Sequence, residues 1–159
     1  MKQITIEAPE GHVIDKFDKT TGTVTFKPTP KTAIERILTF EDVLKENRID
    51  PSTWLGELIG LSPDEVAYRK IKLIAKAFNE GWVPDWTDSS QAKYYPWFKM
   101  GSPSGVGFSY LDYVGWNASS GVGSRLCFKS GELAKHVGQL FIDDYRDFLT
   151  TNIEYHGQN

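Results

Sequence analysis

Cysteine is almost absent from this chain. Cys127 is the only one in 159 residues, which excludes an intramolecular disulfide and a cysteine-based zinc site and leaves no sign of an oxidising compartment. Positive charge is not in excess either. Eighteen Lys and Arg stand against 21 Asp and Glu, for a formal charge of −3. That balance argues against the broad Lys and Arg footprint on which duplex nucleic-acid binding relies, although it leaves room for a local patch. No run approaches the apolar length of a membrane span, and the opening MKQITIEAPEGH has no apolar core of the signal-peptide kind. The expectation is a cytoplasmic protein, or a virion component assembled in the cytoplasm, with no membrane contact. Without a secretion signal, the sequon Asn117, Ala118, Ser119 reads as chance. No internal repeat is visible, and the length suits one domain or a small domain with an appended subdomain.

Aromatic side chains are abundant and concentrated. Trp82, Trp86, Tyr94, Tyr95, Trp97, Phe98, Phe108, Tyr110, Tyr113, Trp116 and Phe128 fall in one segment punctuated by six glycines. Rings of this size are either buried as a core or used as a stacking surface, and glycines let the backbone turn or approach closely. Around this segment the patterning is that of ordinary elements. Alternation in Gln3 to Glu7 and in His12 to Phe17, turn chemistry in DKTTG, and the β-branched run from Thr23 to Lys27 predict short strands and a hairpin, which Pro28 and Pro30 end. Thr39 with Asp42, and Asp50 with Pro51, open two short helices, the second stopped by Gly60. Ser62, Pro63 and Glu65 form the strongest helix start. The helix they open runs to about Glu80, with Ala67, Ile71, Ile74 and Phe78 on its inner face and Gly81 as its stop. Arg69, Lys70, Lys72 and Lys76 lie on its other side, either as a solvated face or as a phosphate-facing surface.

The runs 94–100, 106–114 and 125–129 then predict three strands, the first at a sheet edge or bulge because it contains Pro96. From Ser130 or Gly131 a last helix places Leu133, Val137, Leu140, Phe141, Tyr145 and Phe148 at helical spacing, and residues 151–159 lack periodicity and read as a flexible tail. The expected fold is α+β: an N-terminal β-hairpin segment over 1–30, a linker with a short helix over 31–49, and a compact domain over 50–150. The order in that domain is helix, three-stranded antiparallel sheet, helix.

The stretches APEGHVIDKFDKTTGTVTFKP, NEGWVPDWTDSSQAKYYPWF and GSRLCFKSGELAKHVGQLFIDDYRDFL resemble a widespread group of uncharacterised small proteins of Bacteroidetes genomes and their phages and prophages. Trp82, Pro84, Asp85, Trp86, Lys93, Tyr94 and LCFKS are the most specific elements of the resemblance, which spans most of the chain. It implies a phage or mobile-element setting. No activity is attached to that group, so no catalytic residue carries over.

The chemistry of a reaction is hard to place. A nucleophile triad needs Ser or Cys beside a histidine oriented by an acid. No nucleophile-elbow pattern surrounds any serine, His12 opens a strand, His156 is in the tail, and His136 reads as a boundary or surface residue rather than a base. Cys127 alternates with Leu126 and Phe128 as a small buried hydrophobe would. Asp85, Asp88 and Asp112 offer hard oxygens without the spacing of a calcium loop, and GVGFSY and SGVGSR open no helix as a phosphate loop would. The expectation is therefore no catalytic residue, no metal and no cofactor.

Three binding modes remain. The first is contact with a protein partner or self-association through Tyr94, Tyr95, Trp97, Tyr110, Tyr113 and Trp116. The second is single-stranded nucleic acid, for which Lys93, Lys99 and Arg125 would add charge to stacking rings. The third is a carbohydrate. Burial in the core is the competing reading for each ring. Because alternate strand residues point away from the covering helices, Tyr95, Trp97, Tyr110 and Trp116 are expected on the second face of the sheet, unless a bulge shifts them.

Overall fold

The protein is described by a computed structural model that covers residues 5–101 and 107–150. The chain divides into two compact units, the break falling between Thr32 and Ala33.

The first unit is a hairpin of β1 (His12–Asp18) and β2 (Thr23–Pro28). Its turn is built as the DKTTG pattern predicts. The Asp18 carboxylate accepts hydrogen bonds from the Thr20 and Thr21 amides at 2.7 and 3.3 Å, and Gly22 supplies the positive φ of 70° that a side-chain-bearing residue resists. Pairing shifts register between Ile14 and Lys16, and Asp15 at the bulge reaches Lys27 at 3.0 Å. Within the expected strand at Gln3 to Glu7, Thr5 to Glu7 belong to no strand, and Gln3 and Ile4 lie outside the described residues.

In the second unit, four helices come first: α1 (Ala33–Arg36), α2 (Phe40–Glu46), α3 (Pro51–Glu57) and α4 (Pro63–Asn79). Their starts are set locally. Thr39 and Asp42 form a capping box, Asp50 accepts from the Ser52 and Thr53 amides, and the Glu65 carboxylate accepts from the Ser62 amide at 2.9 Å. The inner face of α4 is buried at Ala67, Ile71, Ile74 and Phe78, as the spacing predicts. At its end Glu80 takes a left-handed conformation, φ 51°, before Gly81. Lys129 at 2.9 Å and Arg36 at 3.1 Å hold the Glu80 carboxylate and depress its pKa, the Lys129 bond contributing most. Ala33 from α1, Val43 from α2 and Ile37 between them join the same core.

β3 (Lys93–Lys99) and β4 (Ser109–Trp116) form the second antiparallel pair. The expected three-stranded sheet is not what folds. Among the described residues each sheet has two strands, and the 125–129 run makes only one bridge, in which Phe128 and Tyr94 exchange backbone bonds of 2.7 and 3.0 Å. The reason is space along the chain. A turn closes just before it, with the Leu126 amide on the Gly123 carbonyl, and Ser130 already caps the next helix. The outward groups of the run are taken by one buried side chain: Asn79 donates to the Cys127 carbonyl at 2.8 Å and accepts from the Lys129 amide at 3.0 Å. An amide side chain thus stands where a further strand would pair.

The last predicted helix is two, α5 (Gly131–Leu140) and α6 (Ile142–Leu149). They part at Phe141, whose backbone leaves helical geometry at φ −111°, ψ 34° while its ring is buried edge-on to Phe78. Beyond the break, Tyr145 meets Phe98 at 4.9 Å and Phe148 stacks on Tyr68 at 5.5 Å. Residues 102–106, and 151–159 where a flexible tail is expected, lie outside the described residues.

Candidate functional site

Residues opposite one another in an antiparallel pair share a face. The register therefore sorts the aromatic segment. Tyr94, Pro96 and Phe98 with Gly115, Tyr113 and Tyr110 form one face, and Lys93, Tyr95 and Trp97 with Trp116, Val114 and Asp112 form the other. Helix α5 comes down closely on the first face at two glycines. A Cβ on Gly138 would stand 2.7 Å from that of Pro96, and one on Gly131 would stand 2.5 Å from the Tyr113 ring. On the other face Tyr95 meets Trp97 and Trp116 edge-on, at 6.1 and 5.4 Å.

Tyr110 is not among them. The register jumps between Trp97 and Phe98, leaving Leu111 unpaired, and this one-residue bulge turns Tyr110 to the α5 face, 6.0 Å from Phe98. Only some of the expected binding rings are at the surface. Trp97 and Tyr113 are exposed, Tyr94, Tyr110 and Trp116 are half-buried, and Tyr95 is buried.

Lys93 is also in the interior, with 1% of its surface exposed. Its ammonium donates to the Asp88 and Asn117 carbonyls at 3.1 and 2.8 Å and sits 5.2 Å from the centre of the Trp86 ring. That lysine ties the loop before β3 to the one after β4, a structural duty that keeps it from meeting a phosphate. Lys99 is exposed, and Arg125 lines a different cavity. The row of charges and rings needed for a nucleic-acid platform is thus not brought together.

The structure does bring together a cavity of about 410 Å3 beside β3. It touches Tyr95, Pro96, Trp97 and Phe98 in succession. Since consecutive strand residues point to opposite faces, a space that touches four in a row lies at the edge of the strand. Opposite it stand Leu126, Tyr145 and Phe148, and Trp97, Met100 and Leu149 contribute exposed apolar surface, 48, 43 and 40% accessible. The lining is almost wholly apolar. Its Tyr145 hydroxyl is buried without a hydrogen-bond partner, and that burial, with Asp144 nearby, raises its pKa far above the ordinary tyrosine value, so the phenol stays neutral.

Groups considered for catalysis occupy structural places. Burial raises the pKa of the Cys127 thiol, which donates to the Ser124 carbonyl at 3.6 Å. His136 is half-buried, at the boundary rather than the open surface. It packs 5.8 Å from Phe78 with a buried, unpartnered Nε2, and burial lowers its pKa. Asp85 and Asp88 accept local bonds from Thr87 and Ser90, and no cluster of metal-ligating side chains occurs among the described residues. No helix among them is long and apolar enough to cross a membrane.

Comparison with protein-family models, with curated proteins and with solved structures found no match.

Met100, Val122, Leu126 and Leu149 were not marked by sequence as cavity residues. Tyr145 and Phe148 carried a signal, their helical spacing, but that spacing does not say which neighbour they face.

Proposed function

We propose that the protein is a non-catalytic binding or assembly protein that receives an apolar side chain of a second copy of itself in the cavity beside β3. The observation that carries this reading is the apolar cavity of about 410 Å3 with exposed Trp97, Met100 and Leu149 in its lining. Its volume suits a buried anchor, and aromatic residues around such a pocket are the usual source of interface energy. The same unit exposes large apolar groups elsewhere, Leu55 at 64% and Ile59 at 83%, so one chain carries both halves of a head-to-tail contact. A phage or mobile-element setting, implied by the resemblance above, agrees with a role in assembly.

Sedimentation across a series from about 10 µM to about 1 mM tests it. The expected result is mass rising with concentration. Trp97→Glu and Ile59→Glu should each weaken association by about thirtyfold, the effect of losing an anchor worth about 2 kcal/mol. A monomer throughout the series, or association that neither variant changes, would overturn the reading.

A further inference from the structure

A second cavity, of about 580 Å3, also has a largely apolar wall but counts several cations among its lining residues. Helix α4 contributes Arg69, Lys72 and Lys76 to it, at spacings of three and four that put them along one side of the helix. Arg125 comes from the turn that precedes the Phe128 bridge, and Trp82, half-buried, from the segment that Gly81 turns away from α4. Glu57 is the one carboxylate in the lining among the described residues, and it is engaged with Arg69 at 3.7 Å. Lys72 rests 4.5 Å from the centre of the Tyr68 ring. Lys76 and Arg125, both exposed, have no ion pair or hydrogen bond among the described residues.

A chain with net charge −3 therefore concentrates four cations and one anion around a concave, ring-walled space. Concave walls of one sign focus the field and raise the local concentration of oppositely charged ligands. Guanidinium and ammonium groups together suit phosphate, and an indole face suits a nucleobase.

We propose that this cavity binds a free nucleoside phosphate, with its phosphates against Lys76 and Arg125 and its base against Trp82. The volume falls within the range of sites that enclose one small molecule. This site is separate from the apolar one beside β3, and neither reading depends on the other.

The test is titration of the full chain at low salt with ATP, inorganic tripolyphosphate and adenosine. ATP should bind, and raising the salt should weaken it. Lys76→Gln and Arg125→Gln, at exposed positions that the fold does not need, should each lower affinity for ATP and for tripolyphosphate about tenfold. Trp82→Ala should weaken ATP severalfold and leave tripolyphosphate unchanged. Absence of ATP binding at millimolar ligand would overturn the proposal, as would binding that the Lys76→Gln, Arg125→Gln double variant leaves intact. Tripolyphosphate or adenosine binding as tightly as ATP would overturn the assignment to a nucleotide.

Discussion

The two hairpins of this protein have the same plan and very different surroundings. Both are antiparallel pairs of short strands, and each carries one break in register, at Asp15 in β1 and at Leu111 in β4. In β1 and β2 no residue is buried, and Ile14 and Phe17 are largely exposed. In β3 the buried residues include Lys93, Tyr95, Pro96 and Phe98, because α5 packs over one face and the 121–126 loop and α6 close the edge. A strand's content of apolar residues does not decide whether it becomes core. What decides it is whether a helix with small residues at the right positions, here Gly131 and Gly138, can come down on it.

The contrast can be pressed hardest at the core of the second unit. Ile74→Ala and Phe141→Ala should each destabilise that unit by about 2 to 5 kcal/mol, since both side chains are buried and a cavity would remain. Urea melts followed by tryptophan fluorescence read this directly, because all five tryptophans lie at or beyond Trp54. A loss below about 1 kcal/mol for both would mean that α4 and the break between α5 and α6 do not bury these side chains.

A smaller effect tests the α5 contact itself. Gly138→Ala replaces a poor helix former by the best one, a gain of about 1 kcal/mol at an unconstrained site. Here the new Cβ would sit 2.7 Å from Pro96 and 2.9 Å from the Tyr110 ring. Overpacking of that kind costs about 1 to 3 kcal/mol, so the net change should be a destabilisation. A rise in melting temperature would show that α5 stands further from the sheet.

The smallest effect is expected in the first hairpin. Phe17→Ala should change stability by less than about 0.5 kcal/mol, since its ring is more than half exposed. A loss of about 2 kcal/mol in a chemical melt would mean that the ring is covered, and the contrast between the hairpins would fail.

Legibility in the sequence followed the range of the interactions. The starts of α2, α3 and α4 could be read from Thr39 with Asp42, Asp50 with Pro51, and Ser62 with Glu65, because each cap is satisfied within four residues. The first hairpin was readable for the same reason, its turn being closed by Asp18 on its own neighbours. Several of the errors involve distant partners. Asn79 reaches across 48 residues to occupy the edge of the 125–129 run, and the break at Phe141 places its ring against Phe78. Burial of Lys93 depends on carbonyls of Asp88 and Asn117, which no local pattern joins. For the candidate sites, the aromatic strand was visible, but the partners that shape its cavity come from α6 and from the loop before Phe128. The basic cavity shows the same limit, since the cations of α4 could be read as a row but not as facing Trp82 and Arg125.

Pro96 sets the terms on which anything can meet the aromatic strand. Because Tyr94 bonds Phe128 on the side away from β4, the register puts Pro96 in the same orientation two residues on, its nitrogen directed outward from the pair. That is the position from which another residue would offer an N–H to an incoming strand, and proline has none. The ladder to β4 loses nothing by it, while the outer edge is left without a donor at its midpoint. The apolar cavity along that edge therefore has no backbone N–H to satisfy at Pro96.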